Sequence, residues 1–199
     1  SLFMHMAIGG RHRREINFDA GMWAPNQLFG LIEEKPLSQT GGRTPIPISR
    51  ALNEQICLWR AHIQTLSQRL EKIHARGATE TSKRVTAIVQ SEKVHLLFSL
   101  DPNGFAKPVF TERIFTGLAQ NLNRDFGHHF IPDQLLDIGV SFEDVQDWLR
   151  HFANGTSSHI VTSDRDAYGY IQRLSVGIDR VLAHLSIHPK PGLSKAAPK

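Results

Sequence analysis

Residues 126–151 read FGHHFIPDQLLDIGVSFEDVQDWLRH, and a single glycine divides this stretch into two segments that favour helix. The first segment predicts a helix from His129 to Ile138, with Pro132 in its first turn, where the missing proline N–H is not needed. Gly139 then ends this helix, because glycine readily adopts the left-handed backbone of a helix C-terminus. The stretch therefore predicts a helix, a tight turn and a second helix.

The second segment begins at Ser141, a residue type whose side-chain oxygen caps helix N-termini. Acidic residues follow in the first turn, where negative charge is favourable. Apolar residues at helical spacing predict a buried face made of Phe142, Val145, Trp148 and Leu149. This helix is expected to end before His151, and a last helix is expected from Ser163 to about Leu185.

A long helix is predicted upstream, from Ser49 as its N-cap to about His74. Spacings of four and three residues place seven apolar residues on one stripe: Leu52, Ile56, Trp59, Ile63, Leu66, Leu70 and Ile73. Such a stripe fits a coiled coil or a buried helix of a helical domain. The buried helix is favoured, because the pattern stops at Gly77 and the flanking positions show no regular charge pairing.

Three short segments predict the strands of a small antiparallel sheet. Residues 16–18 and 27–34 contain the β-forming side chains, and residues 43–48 follow a loop rich in glycine, serine and threonine. Two prolines in the last segment cannot donate ladder hydrogen bonds, which favours an edge strand or an irregular extended segment.

The remaining segments give weaker patterns. Residues 78–83 are polar and predict a loop, and the type of structure at residues 85–89 is left open. Residues 94–100 are apolar and predict a strand or a buried extended segment, which the turn signal Asp101-Pro102-Asn103-Gly104 ends. A helix is expected from Thr111 to about Leu122. The predicted fold class is mainly α with a small antiparallel β-sheet.

Composition is typical of a globular protein. The 199 residues, of which 40% are hydrophobic, are sufficient for one sizeable core. Cys57 is the only cysteine, which rules out an intrachain disulfide. No apolar run reaches the roughly eighteen residues needed to cross a bilayer, so we expect no membrane partner and a cytoplasmic location. Residues 1–186 are predicted to form one domain, followed by a flexible basic tail at 187–199.

The formal net charge of +4 says little about a partner. Three of the 23 Lys and Arg residues lie in the C-terminal tail, and without them 20 basic residues face 19 acidic ones. A denser cationic cluster is formed by Arg11, His12, Arg13 and Arg14. Such a cluster can hold phosphates, or it can be a solvated charged turn. Charge alone therefore leaves nucleic-acid binding open.

Five segments with chemically useful side chains follow one another along the chain. They are Ile8-Gly9-Gly10-Arg11, Leu31 to Lys35 with Arg43 to Pro47 after it, Asp125 to His129, Leu149-Arg150-His151, and Tyr168. Their order, over about residues 8–185, resembles that of the catalytic domain of the tyrosine recombinases, the phage-integrase family. The resemblance implies a recombinase-like catalytic domain that lacks the family's upstream core-binding domain and first helix.

The resemblance assigns catalytic roles to five residues: Arg11, Lys35, His128, His151 and Tyr168. It implies that the tyrosine hydroxyl attacks a DNA phosphodiester and forms a 3′-phosphotyrosyl bond, with no metal or other cofactor. In the family, arginines hold the phosphate, a lysine protonates the leaving oxygen and histidines assist proton movement. Tyr170 is an alternative nucleophile that should face another side of the same helix. Further DNA contacts are assigned to Arg13, Arg14, Arg43, Arg124, His129 and Arg150.

Three positions depart from the family pattern. His128 stands in place of the second arginine, Asp125 in place of a histidine, and Arg150 in place of the glycine before the last histidine. Imidazole lacks the forked donor geometry of guanidinium, and the loss of one such donor costs about two to three orders of magnitude in rate. We therefore expect slow or no DNA cleavage, unless Arg124 or Arg150 replaces the missing guanidinium.

Three functions fit these patterns. The first is a site-specific recombinase or integrase of a mobile element, which acts on double-stranded DNA as a tetramer and is nucleoid-associated when bound. The second is a noncatalytic DNA-binding or assembly protein derived from such an enzyme. The third is an unrelated helical interaction module, in which His128 and His129 are a helix-start pair packed on the core, Tyr168 is an ordinary helix residue and Lys35 is an exposed loop charge.

Overall fold

The computed structural model describes eight segments of the chain: residues 26–32, 44–73, 77–90, 98–103, 105–108, 126–149, 151 and 164–191. The helices in these segments are α1 (Arg50–Glu71), α2 (Ala78–Gln90), α3 (Phe126–Asp137), α4 (Phe142–Trp148) and α5 (Asp164–His184). The strands are β1 (Phe29–Ile32), β2 (Thr44–Pro47), β3 (Phe98–Leu100) and β4 (Ala106–Pro108). The predicted class, mainly α with a small antiparallel β-sheet, is confirmed for these residues, although their strands form two separate two-stranded sheets.

Several predicted elements lie outside the described residues. They are the strand at 16–18, the loop at 35–42, the helix at 111–122, the loop at 153–162 and the end of the tail at 192–199.

The first sheet pairs β1 with β2 in antiparallel fashion, with Phe29 opposite Pro47 and Ile32 opposite Thr44. The Ile48 N–H donates to the Leu28 carbonyl at 3.0 Å and continues the ladder by one step. Ile46 in the middle of β2 is fully buried in the main core. The two predicted strands are confirmed, although β1 begins two residues after the predicted start at 27 and β2 ends one residue before the predicted end at 48. A second hairpin pairs β3 with β4, with Ser99 opposite Lys107.

The predicted turn joins β3 to β4. One oxygen of Asp101, Oδ1, accepts hydrogen bonds from the Asn103 and Phe105 amides, both at 2.9 Å. These two amides and nearby Lys107 lower the pKa of the Asp101 carboxyl, with the Phe105 hydrogen bond as the largest cause. Arg84 of α2 then holds the turn, because its guanidinium donates to the Asn103 carbonyl at 2.8 Å.

Helix α1 begins as predicted, with Ser49 as its N-cap and a 3.3 Å hydrogen bond from the Leu52 amide to Ser49 Oγ. Asp179 of α5 supplies a second cap, since its carboxylate accepts from the Arg50 and Ala51 amides at 3.0 and 2.9 Å. The four orphan amides of a helix start need such acceptors. Asp179 therefore joins the start of α1 to the middle of α5.

Helix α2 corrects the prediction of a loop at residues 78–83. This segment is helical although it lacks an apolar stripe. Its inner face packs against α1 partly through polar contacts. Ser82 Oγ donates to the Ser67 carbonyl at 3.2 Å, and Ser67 and Thr86 share a hydroxyl hydrogen bond. Val85 is fully buried beside Ile63 of α1. Hydrogen-bonding side chains therefore replace the apolar periodicity on which the prediction depended.

Helix α3 begins at Phe126, three residues before the predicted start at His129. Pro132 consequently lies in the second turn and not in the first. A proline inside a helix cannot donate to the carbonyl four residues earlier, and its ring crowds that carbonyl. The affected carbonyl belongs to His128. Gly139 ends this region as predicted, with a φ of +87° that favours glycine.

Helix α4 begins at Ser141 as predicted, with a 3.1 Å hydrogen bond from the Asp144 amide to Ser141 Oγ. The predicted buried face is wrong at its first position, since Phe142 is 61% exposed. Val145, Trp148 and Leu149 are buried as predicted. Asp144 and Asp147 are also buried, and the Asp144 carboxylate has an ion-pair partner on α5, Arg173.

Helix α5 packs against α1, α3, α4 and β2, and its inner face forms the centre of the main core. Tyr170, Leu174, Ile178, Val181 and Leu182 supply this inner face. After α5 the chain turns through Ser186 and runs along α1, where the Lys190 backbone exchanges two hydrogen bonds with the Gln55 side chain. Among the described helices, none combines the length and apolar character that a membrane crossing requires.

Candidate active site

The structure describes four of the residues assigned to a site from the sequence: His128, His129, His151 and Tyr168. The others lie outside the described residues: Arg11, Arg13, Arg14, Lys35, Arg43, Arg124 and Arg150. The geometry below therefore concerns the half of the proposed site that α3, α4 and α5 provide.

His128 and His151 lie in direct contact. Their ring centroids are 5.4 Å apart and the rings meet edge to face, at an angle of 80°. His128 lies in the first turn of α3, whereas His151 follows the end of α4, so the α3–α4 hairpin brings them together from 23 positions apart in sequence. His129 adds a third imidazole, 5.4 Å from His128. Two residues with predicted catalytic roles are therefore neighbours.

The orientation of His151 is fixed by Gln146 of α4. The His151 backbone N–H donates to the Gln146 carbonyl at 2.9 Å, and the ring Nδ1 lies 3.2 Å from Gln146 Oε1. An amide oxygen only accepts, so this contact fits the neutral tautomer with the proton on Nδ1. The lone pair of that tautomer is on Nε2, which can accept a proton.

His128 differs from His151 in exposure, since only 5% of its surface is accessible. Its position near the start of α3 and its burial match the alternative interpretation of the sequence, a helix-start histidine packed on the core. The exposed neighbour His129 faces solvent. A buried imidazole presents little surface to a bound phosphate, so His128 differs from an exposed guanidinium in access as well as in shape.

The chain has two tyrosines, and the structure separates them sharply. Tyr168 is 48% exposed on the outer face of α5, whereas Tyr170 is 2% exposed and belongs to the main core. Two residues along a helix correspond to a rotation of about 200°, which accounts for the difference. Of the two tyrosines, only Tyr168 presents its side chain at the surface.

The hydroxyl of Tyr168 has a neighbour one helical turn away. Gln172 Nε2 donates to Tyr168 Oη at 2.8 Å. Arg173, the next residue, extends across Gly169, where its Nη1 lies 3.1 Å from the position that a Cβ would occupy. The turn that follows Tyr168 therefore contains an amide donor and a guanidinium.

Arg173 ties this turn to α4. Its Nε and Nη2 donate to the two carboxylate oxygens of Asp144 at 2.7 and 2.8 Å, in the forked geometry that suits guanidinium and carboxylate. Asp144 is fully buried, whereas the Arg173 side chain is 55% exposed. This ion pair joins the helix that precedes His151 to the helix that carries Tyr168.

Sequence reasoning missed Gln146, Gln172 and the pair of Asp144 with Arg173. Gln172 offered a weak signal, because residues four apart on a helix can meet, whereas Gln146 is five residues before His151, which lies beyond the end of α4. Asp144 was noticed only as a first-turn acid, and no local pattern connects it with a residue 29 positions away. Within the described segments, no group of three His, Cys, Asp or Glu side chains is arranged to hold a metal ion.

Comparisons of the chain with protein-family models, with curated proteins and with solved structures found no match. The likeness to tyrosine recombinases therefore depends on the ordered residues of the sequence.

Proposed function

We propose that this chain is a DNA strand transferase that cleaves and rejoins DNA through Tyr168, in the manner of a site-specific recombinase or integrase. The observation that carries the proposal is the exposure of Tyr168 on α5. This helix packs against α3, which carries His128, and against α4, which precedes His151, and the two histidine rings are in contact. An accessible hydroxyl and an imidazole that can accept its proton are parts that nucleophilic attack on a phosphodiester requires.

In the proposed reaction, Tyr168 Oη attacks the DNA phosphorus and a new oxygen–phosphorus bond forms. The bond from phosphorus to the 5′-oxygen breaks, and the DNA is left with a 3′-phosphotyrosyl link and a free 5′-hydroxyl. His151 Nε2 accepts the tyrosine proton, and Lys35 supplies a proton to the leaving oxygen. Rejoining reverses these steps with a 5′-hydroxyl of a partner strand, so no external energy source is required.

Phosphate binding is the second requirement of this mechanism. We assign it to Arg11, with DNA contacts from Arg13, Arg14, Arg43, Arg124, His129 and Arg150. Double-stranded DNA is the proposed partner, and an oligomer assembled on two sites is the proposed active form. Because His128 is buried, the second phosphate-binding position lacks an exposed guanidinium. This lowers the expected rate of DNA cleavage by about two to three orders of magnitude.

The same burial favours a second candidate, a noncatalytic DNA-binding or assembly protein. A packed imidazole at position 128 can stabilise the α3–α4 hairpin without binding a phosphate. The two candidates share a DNA-binding surface and differ in covalent chemistry, so one assay separates them.

The assay uses a library of nicked suicide duplexes with randomised sequence, because the target sequence is not known. After incubation, covalent protein–DNA adducts are detected in a denaturing gel. We expect a weak adduct with the parent protein, a stronger one with His128→Arg by about two to three orders of magnitude, and none with Tyr168→Phe.

Tyr170→Phe is the matched control, since it removes the hydroxyl of the only other tyrosine. It should leave the adduct unchanged. An adduct that survives Tyr168→Phe contradicts the assignment of the nucleophile. If neither the parent nor His128→Arg forms an adduct while both retain DNA, the noncatalytic candidate is correct.

A further inference from the structure

The outer face of α5 carries Tyr168 and Gln172 one helical turn apart. Both side chains are exposed, and the amide nitrogen of Gln172 lies 2.8 Å from the tyrosine oxygen. The side chain NH₂ of glutamine only donates, so Tyr168 Oη is the acceptor of this hydrogen bond. The hydroxyl proton must then point away from Gln172. This arrangement holds the phenol along the helix and leaves its proton for another acceptor.

We propose that Gln172 is a positioning residue that orients the Tyr168 hydroxyl and stabilises negative charge on its oxygen during attack. The proposal rests on the proposed function, because it concerns the nucleophile of that reaction. Negative charge develops on Oη as the proton leaves in the transition state, and a fixed N–H donor aimed at that oxygen stabilises the charge at that moment. Gln172 thus prepares the oxygen without contacting DNA phosphorus.

The turn that carries Gln172 is anchored to α4. Arg173, the adjacent residue, makes a forked ion pair with the buried carboxylate of Asp144. Its guanidinium also lies against Gly169, next to Tyr168 in the chain. These contacts limit the movement of the turn from Gly169 to Arg173. The fold therefore holds the backbone of this turn, and the hydrogen bond to Tyr168 Oη gives the Gln172 amide its direction.

Gln172→Glu gives the sharpest test, because the side chain keeps its shape while the hydrogen-bond donor is replaced by an acceptor. An ionised carboxylate only accepts hydrogen bonds, so it would bind the hydroxyl proton and disfavour charge on Oη. Leucine at this position removes the hydrogen bond without adding charge. Both changes replace one good helix former by another at an exposed site, so the fold is retained.

The first readout needs no DNA. N-acetylimidazole transfers its acetyl group to a tyrosine oxygen, with the proton and the leaving imidazole released together, and mass spectrometry reports each tyrosine separately. We expect the acetylation of Tyr168 to slow about two- to tenfold in Gln172→Leu, in line with the loss of one hydrogen bond. Gln172→Glu should slow it further. Tyr170, which is buried, should stay protected throughout.

Val176→Glu is the matched control for added charge. Val176 is 52% exposed on the same face of α5, one turn beyond Gln172. A carboxylate there is too far along the helix to bond Tyr168 Oη, so acetylation should continue at the parent rate. The proposal is overturned if Gln172→Glu and Gln172→Leu react at the parent rate, or if Val176→Glu slows the reaction equally.

The second readout is the rate of covalent adduct formation with the nicked duplexes at saturating DNA. Gln172→Glu should lower this rate without weakening DNA retention, since a positioning residue acts on the chemical step and not on binding. Absence of any adduct in the parent protein and in His128→Arg would contradict the proposed function alone. Equal acetylation rates would contradict the role of Gln172 alone.

Discussion

At Gly177, α5 packs closely against the end of α3 and the turn that follows it. A Cβ at this position would lie 2.8 Å from Val140 Cγ2 and 3.0 Å from Leu135 Cδ2. Contacts shorter than 3.0 Å force a shift of the surrounding atoms, and Leu135 is a fully buried core residue. The absence of a side chain at Gly177 is therefore needed for the packing that supports the candidate site.

We expect Gly177→Ala to lower the free energy of unfolding by about 1–3 kcal/mol, the usual cost of overpacking a core. The gain in helix propensity, about 1 kcal/mol, offsets only part of it. Chemical denaturation followed by circular dichroism measures the change. Gly169→Ala is the control, because its nearest neighbour is the flexible end of Arg173 at 3.1 Å. Equal effects of the two substitutions would contradict the packing described at Gly177.

Sequence reasoning selected residues of the candidate site, but it did not specify all of their contacts and exposures. The pattern selected His128, His151 and Tyr168, and the structure brings the two histidines into contact. It gave a core-packed His128 only as an alternative, because burial depends on the elements that pack against α3. The helical spacing of Tyr168 and Tyr170 did indicate opposite faces, and the structure gives these residues opposite exposures.

At the scale of elements, the ion pair of Asp144 and Arg173 is the polar connection between α4 and α5 that bears most directly on the site. Burial of a carboxylate is costly unless a partner compensates it. Here both oxygens of Asp144 accept from the guanidinium, while the exposed part of Arg173 remains hydrated. Loss of both partners should therefore cost less than the sum of the two single losses.

We expect Arg173→Met to destabilise the protein by about 2–3 kcal/mol, because it leaves a buried carboxylate without its charged partner. The double substitution with Asp144→Asn should be less destabilising than the two single effects combined, with a coupling of about 1–3 kcal/mol. A double-mutant cycle in urea measures this coupling. Lys83 and Glu80 form an exposed ion pair at 3.1 Å and serve as the control, with a coupling below about 1 kcal/mol. Similar couplings for the two pairs would contradict the structural role of Asp144.

The elements themselves were predictable to different degrees. The long apolar stripe and the Ser49 cap were sufficient for α1, and the Ser141 cap was sufficient for the start of α4. The first half of α2 was not predictable from hydrophobic spacing, because Ser82 packs through a hydrogen bond. The start of α3 was misplaced because Pro132 was assumed to require the first turn, whereas the surrounding packing accommodates it inside the helix.

At the scale of the whole molecule, α5 connects the parts of the described fold. Its inner face lies in the main core, Asp179 caps α1, and its outer face carries Tyr168. The fold class followed from the apolar periodicities and was confirmed. The candidate site followed only in part, since Gln146, Gln172 and Arg173 act through contacts that no sequence spacing specifies uniquely.

The most direct test of the proposed function is to locate the nucleotide on the protein. Adducts from the randomised duplexes, formed with the parent protein or with His128→Arg, are digested with nuclease and protease and sequenced by mass spectrometry. We expect a nucleotide attached through its 3′-phosphate to Tyr168, on a peptide that also contains unmodified Tyr170. A nucleotide on Tyr170 or on another side chain, or no adduct in either protein, would contradict the proposal that Tyr168 cleaves DNA.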